Sequence, residues 1–395
     1  MTILVFADTR FPIERANGVQ TMATCHALAT RGHLVRLVVR PDQTVPARDP
    51  FAFYDLPPAP HLRVEPIVAP HDARARRARF LLTALRLATS SECDVVYTRD
   101  LGLAALLVRV PTARRPCLVY ESHGVSLTVS EEMPRLLGKP ELAPSRRKLE
   151  RLNRREQRVW RRANAYVTIT QALAGELAQR YGPRRNVFIV PDGAAAPVAE
   201  ERDLARVSQT APVAGYAGHL YPWKGVDVFV RALAIASEVR GLIVGGHPGE
   251  PDRARVERQI ADLGLSDRIT ITGLVPPRDV RRHLAPATML VLPNTPSAMS
   301  ERYTSPLKLF EYLTMGRPIV ASDLASIREI LTDARSAILV PPGDPVALAA
   351  AMRRLAADPV LSAALGTAAH NLAPTYTWER RADRLAAAFS AARAR

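Results

Sequence analysis

Ser305-Pro306-Leu307-Lys308-Leu309-Phe310-Glu311-Tyr312-Leu313-Thr314-Met315-Gly316-Arg317-Pro318-Ile319-Val320-Ala321-Ser322 reads as a helix delivered into a buried strand. Ser305 is placed to cap the first turn, and Pro306 suits its first position. Gly316 and then Pro318 close the helix where a left-handed residue and a breaker belong. At 100° per residue, Leu307, Leu309, Phe310 and Leu313 form the stripe to be buried. The apolar run 319–322 that follows is short enough for a strand.

The same alternation extends in both directions. Strand segments fall at 3–7, 35–39, 94–97, 118–120, 167–170 and 187–190, and again at 213–217, 241–245, 269–272, 289–292, 319–321 and 337–340, with helix-like stretches between them. Such a series predicts parallel, doubly wound sheets, and 395 residues exceed one ordinary core. The expectation is an α/β protein of two Rossmann-like domains facing a central cleft, with the carboxyl ends of the strands pointing into it. Pro191-Asp192-Gly193 ends the first series at 1–193. A polar, alanine-rich connector at 194–212 leads to a second domain at 213–375, and 376–395 is helical by pattern.

Composition narrows the class. The hydrophobic fraction of 47% suits a globular chain, and no apolar stretch approaches the roughly 18 residues of a membrane span. The opening Thr2-Ile3-Leu4-Val5-Phe6-Ala7 is read as a first strand and not as a signal peptide. Cys25, Cys93 and Cys117 are too widely spaced for a disulfide framework or a structural zinc site, which fits a reducing cytoplasm. The net charge of +16 is carried almost wholly by arginine, for the four lysines are Lys139, Lys148, Lys224 and Lys308.

Lys308 and Glu311 lie about 60° apart on the polar side of the opening helix. The free N–H groups and partial positive charge of a helix N-terminus attract phosphate, and a carboxylate one turn in can accept bonds from sugar hydroxyls. Together they can hold a nucleotide's diphosphate and ribose. A capped surface helix with an i,i+3 ion pair accounts for the same residues.

Gly215-Tyr216-Ala217-Gly218-His219-Leu220-Tyr221-Pro222-Trp223-Lys224-Gly225 and the opening block together resemble the donor site of retaining glycosyltransferases of family 4, which have the GT-B fold. In that family two glutamates with seven residues between them mark the site, and the second contacts the donor ribose. The resemblance gives Glu311 that role. The first position falls on Tyr303, with Glu301 two residues too early, and Ser305, Pro306 and Leu307 form the donor-binding turn. An arginine and a lysine clamp the leaving diphosphate in the family; here these positions are His219 and Lys224, next to Gly218. Lys308 can supply the second permanent charge that histidine lacks.

The N-terminal half is similar too. Phe11 to Gln20 follows the first strand as the family's glycine loop does, with Asn17-Gly18 where two glycines are usual. Tyr120-Glu121-Ser122-His123-Gly124 puts His123 at a strand's carboxyl end, where the family has a histidine that contacts the transferred sugar. The resemblance also implies that the terminal helix crosses back to the N-terminal domain.

The implied activity is transfer of a sugar, hexosyl in type, from a nucleotide-sugar co-substrate to an unidentified acceptor: a small molecule, a polysaccharide or a lipid-linked molecule. No Asp-x-Asp motif occurs, so neither a metal nor any other cofactor is expected, and cations and helix ends take that part. Gly245-Gly246-His247-Pro248-Gly249 lacks the order of a dinucleotide fingerprint, which disfavours a nicotinamide enzyme. A sugar-nucleotide epimerase on the same fold and a non-enzymatic protein that binds anionic surfaces are the alternatives.

The second alternative rests on Arg74, Arg76, Arg77 and Arg79 and on residues 146–162 with eight arginines and one lysine. The latter is a basic amphipathic helix, suited to a solvated face and also to peripheral contact with an anionic inner membrane face. Nucleic acid is not an expected partner, because aromatics for base stacking are sparse at 6%.

Overall fold

The computed structural model describes residues 1–68, 70–90, 92–196 and 211–394, so most of the expected connector at 194–212 lies outside the described residues. The chain divides into two compact units. The first comprises Met1–Glu131, Pro144–Asp192 and Trp378–Arg395, and the second comprises Glu132–Ala143 and Gly193–Thr377.

The first unit is built on seven parallel strands: β1 (Thr2–Arg10), β2 (Leu34–Arg40), β3 (Leu62–Pro66), β4 (Val95–Thr98), β5 (Cys117–Ser122), β6 (Ala165–Thr168) and β7 (Val187–Ile189), in the order β3-β2-β1-β4-β5-β6-β7. Buried runs such as Val95-Val96-Tyr97-Thr98 are apolar on both faces because helices cover both sides of the sheet. The reading of the sequence omitted β3. It is an edge strand whose alternation is masked by Arg63 and Glu65, and Glu65 is held by Arg36 of β2 at 2.9 Å.

The second unit has six parallel strands: β8 (Val213–Ala217), β9 (Arg240–Val244), β10 (Ile269–Ile271), β11 (Met289–Leu292), β12 (Ile319–Ser322) and β13 (Ile338–Val340), in the order β10-β9-β8-β11-β12-β13. Leu290 pairs with Ile319, Val291 with Val320 and Leu292 with Ala321. That register sends Leu290, Leu292, Ile319 and Ala321 into the core with Leu309, Phe310 and Leu313. Val291 and Val320 face the opposite core with Phe229 and Met352.

Each sheet reverses its strand order once, between β1 and β4 and between β8 and β11. At such a switch point the loops leaving the carboxyl ends diverge and open a crevice, where ligands of doubly wound sheets bind. The helix Trp378–Arg393 packs within the first unit against the helix Ala16–Thr30 and against β5 and β6. Among the described residues no helix is long and apolar enough to cross a membrane.

Candidate functional site

In the second unit the switch point gathers the loop after β8 and the segment after β11. The helix beside it runs Leu307–Thr314, with Pro306 at the N-cap and no side-chain cap. Ser305 therefore does not occupy the capping position expected of it, and Pro306, which does, makes no side-chain cap. Leu307 is half-buried, while Tyr312 joins the buried face, because its hydroxyl accepts the Ala217 N–H at 2.8 Å and ties the helix to the end of β8.

Lys308 projects from this helix onto the turn after β8. Gly218 has φ of +122°, and a Cβ there would come within 2.9 Å of the Lys308 Nζ, so glycine lets the ammonium lie against the backbone. Nζ is buried without a hydrogen-bond partner and sits 3.7 Å from the centroid of the Tyr216 ring. Burial and the charge of Lys224 push its pKa well below the usual lysine value, against the pull of Glu311. Burial also brings the Lys224 ammonium down to about 8. Burial raises the Glu311 carboxyl, opposed by Lys308 and Arg281. No ion pair joins Lys308 to Glu311, so the simple surface-pair reading of the helix does not hold. A buried Lys308 ammonium without a hydrogen-bond partner, with the like charge of Lys224 nearby, suits a multiply charged anion.

His219 Nδ1 lies 3.2 Å from Glu250 Oε1. Its ring stacks on Tyr221 at 5.0 Å, and Tyr221 stacks on Trp223 at 4.7 Å. The histidine is thus engaged by a carboxylate and an aromatic ladder that the sequence reading did not anticipate. Tyr303 is 4% exposed, with the Arg302 guanidinium 5.7 Å from its ring centroid, so it is placed as a packed side chain.

In the first unit a cavity of about 280 Å³ lies at the carboxyl ends of β1, β4 and β5, lined in part by Asn17, Gln20, Arg99, Glu121 and His123. Gly18 belongs here by close packing. It is the third residue of the helix Ala16–Thr30, and a Cβ would overlap the Tyr54 hydroxyl and Ile13.

His123 Nε2 contacts Glu121 Oε1 at 2.5 Å. Glu121 is fully buried and also accepts bonds from Gln20 Nε2 at 2.9 Å, Arg381 Nη2 at 2.6 Å and the Tyr97 hydroxyl. Burial alone would raise its pKa, but Arg381, His123 and Arg99 hold it well below the usual carboxylate value. Burial and Arg99 lower the His123 pKa, against Glu121 and Asp192. An ionised Glu121 can only accept, so the neutral imidazole carries its proton on Nε2 and offers Nδ1 as an acceptor to a hydroxyl. The sequence reading named His123 but missed Glu121, Gln20 and Arg381. Glu121 and Gln20 stood beside the motifs already singled out, whereas Arg381, 260 residues from Glu121, gave no local signal.

Two doubly wound units with these switch-point sites define a GT-B fold, and solved structures agree. Sucrose-phosphate synthase from Thermosynechococcus elongatus superposes with a TM-score of 0.77 at 20% identity, covering 98% of both chains. Anabaena HepE in complex with UDP-glucose gives 0.74 at 19% identity, covering 99% of both. Residues 17–195 match the model described as Glycosyltransferase Family 4, and residues 211–358 match that of Glycosyl transferases group 1. The chain belongs to the family 4 glycosyltransferases. It is 31% identical to a D-inositol 3-phosphate glycosyltransferase of Acidothermus cellulolyticus over 55% of this chain and 51% of that one. It is 30% identical to an alpha-D-kanosaminyltransferase of Streptomyces kanamyceticus over 41% of this chain and 40% of that one. The matches thus span about half or less of the length of these curated relatives.

Proposed function

We propose that this chain is a retaining, hexosyl-type glycosyltransferase that uses a nucleotide-sugar donor and needs no metal. One observation carries the reading: the Lys308 Nζ is buried without a hydrogen-bond partner, close to the like charge of Lys224 and on the first turn of the helix Leu307–Thr314. Burying such charges is unfavourable unless a ligand supplies the anion, and a nucleoside diphosphate fits.

In this reading Glu311 accepts from the donor ribose. As the bond from the anomeric carbon to the diphosphate oxygen breaks, negative charge gathers on the leaving phosphate. Lys224, Lys308 and the first-turn N–H groups of residues 307–314 are already fixed where that charge develops, so they stabilise it without reorganising. His123, with Nδ1 able to accept, binds a hydroxyl of the transferred sugar. The acceptor oxygen attacks on the face from which the diphosphate leaves, and its proton passes to a departing phosphate oxygen. The likeness to a D-inositol 3-phosphate glycosyltransferase supports a hydroxyl acceptor on a polyol, and HepE with UDP-glucose supports the donor class.

The test is slow hydrolysis of uridine, guanosine, adenosine and thymidine diphosphate sugars without acceptor, with and without EDTA. Release of sugar from one donor, unaffected by EDTA and lost in Lys224→Ala, is the expected result. No hydrolysis and no binding across all four would overturn the reading.

A further inference from the structure

Glu156 is fully buried on the helix Arg146–Arg162 of the first unit and does not line the cavity of His123. Its carboxyl faces Ser126, the first residue of the helix Ser126–Leu136, whose backbone N–H donates to Oε2 at 3.0 Å and whose hydroxyl donates to Oε1 at 3.0 Å. Tyr181, which ends the helix Gln171–Tyr181, places its hydroxyl 3.2 Å from Glu156 Oε2 and 2.9 Å from Asn153 Oδ1. A hydroxyl has one proton, so it donates to one of these two oxygens at a time.

Among the described residues no cation pairs with this carboxyl. Arg180, the basic side chain that pulls on it, is committed to Glu176 at 3.3 Å. The other ionisable groups turned toward it are the phenols of Tyr120 on β5, Tyr166 on β6 and Tyr181, all kept protonated by burial. The helix Leu101–Leu107, packed on the same helix, brings none. A carboxylate ion would be unpaired here, whereas the acid satisfies every bond: its proton goes to the Tyr181 oxygen, Tyr181 donates to Asn153, and the remaining lone pairs accept from Ser126. The lengths agree, since 3.0 Å from the Ser126 hydroxyl exceeds the about 2.5–2.7 Å of a hydroxyl on a carboxylate ion. Burial raises the carboxyl to about 7, against Ser126, Tyr181 and Arg180.

Ser126 follows His123 by three residues. The turn between them is pinned from its other end by the Ser122 hydroxyl, which donates to the Gly124 carbonyl at 3.0 Å, and Val125 is buried. The imidazole that lines the cavity is thus carried on a segment tied on both sides. Arg99, Glu121 and Asp192 are the charges that act on His123 directly, so Glu156 reaches it through Ser126.

We propose that Glu156 is a positioning residue for His123, holding residues 123–126 through Ser126 as a neutral acid and resetting them when its proton leaves. The ionised carboxylate draws Ser126 in by shortening both bonds and turns the Tyr181 hydroxyl from Asn153 to itself, so the placement of the imidazole changes with pH. The consequence for sugar binding rests on the glycosyltransferase reading above; the link from Glu156 to His123 does not.

The experiment labels the histidines of the full chain with carbon-13 at Cε1 and assigns the His123 resonance by its loss in His123→Asn. In the wild type this resonance should inflect near pH 7, apart from the imidazole's own titration, which burial and Arg99 hold below the ordinary 6.5. Glu156→Gln offers Ser126 an acceptor and Tyr181 a donor as the acid does, so it should keep the low-pH resonance and lose the inflection. Its thermal midpoint should match the wild type's at pH 4.5 and exceed it by a few degrees above pH 7, because the wild type alone loses stability as pH rises between those values. Ser126→Ala should also lose the inflection at His123, while its thermal midpoint still falls with pH as the wild type's does. No inflection in the wild type, or one that persists in Glu156→Gln, would overturn the proposal, and one that persists in Ser126→Ala would overturn the route through Ser126. In the donor hydrolysis assay, wild-type kcat should fall severalfold through pH 7 with KM steady, and that of Glu156→Gln should not. If the resonance behaves as expected while none of the four nucleotide sugars is hydrolysed, the link stands and the transferase reading fails.

Discussion

The Lys308 ammonium faces the Tyr216 ring, 3.7 Å from its centroid, and has no hydrogen-bond acceptor. A desolvated cation–π contact contributes about 2 kcal/mol, less than the several kcal/mol needed to strip an ammonium of water. The ligand-free site is therefore held in a state that an anion relieves.

Replacing Lys308 with Met should stabilise the empty chain and disable it together. The thermal midpoint should rise by a few degrees, and UDP affinity should fall by about a hundredfold, because an unpaired buried charge is exchanged for a shape-matched apolar chain. Calorimetric unfolding and UDP titration on one preparation check both halves. A lowered midpoint would show that the ammonium is satisfied in the empty site.

The pH dependence of nucleotide binding follows from Lys224. Its folded-state pKa is about 8 against the ordinary 10.5, so the ligand-free ammonium loses its proton as pH rises past 8. UDP affinity should then weaken above pH 8, and binding near that pH should take up a proton, visible as a buffer-dependent heat. The stability of the empty chain should move the other way. Between 8 and 10.5 the unfolded chain holds this proton and the folded chain does not, so this group makes stability rise with pH.

The Glu121–Arg381 pair carries the opposite sign. Glu121 is ionised below the ordinary value of 4.5, so its contribution is complete above that value and is lost as pH falls. Arg381→Met strands Glu121 and Asp192, which should cost about 3–5 kcal/mol at pH 7. The gap between wild type and variant in urea unfolding should shrink as the medium is acidified below pH 4.5, since the stranded carboxylates then protonate.

Gly218→Ala tests the approach of Lys308 to the backbone. With φ at +122° the alanine is strained and also meets Nζ, so both the turn and the ammonium must shift. UDP affinity should drop at least tenfold, read by fluorescence or calorimetric titration, with the thermal midpoint lowered by a few degrees.

The local signals in the sequence were strong where each element carried its own punctuation. Parallel strands buried on both faces show as short apolar runs, and all but β3 were legible that way; β3 alternates at an edge, where Arg63 and Glu65 hide it. The helix at 307–314 was legible from its stripe and its stop, but its start was not, because Pro306 fills the N-cap where Ser305 was expected. Lys224, Lys308 and His123 could be named from motifs. The partners that set their charge state could not, since Gln20, Tyr97 and Arg381 reach Glu121 from three separate parts of the chain. Gln20 and Arg381 lie 101 and 260 residues from Glu121, and pairing over such distances leaves no spacing to read.

Arg381 also bears on the order in which the molecule is made. The first unit is completed by Trp378–Arg395, whereas Gly193–Thr377 belongs to the second. On a ribosome, Glu121 and Asp192 emerge long before the guanidinium that neutralises them. The later-synthesised second unit can close its own sheet while the first waits without the guanidinium that neutralises Glu121 and Asp192. Translation and folding then run in opposite orders, and a nascent chain halted before residue 381 should expose its N-terminal unit to proteolysis while its C-terminal unit resists.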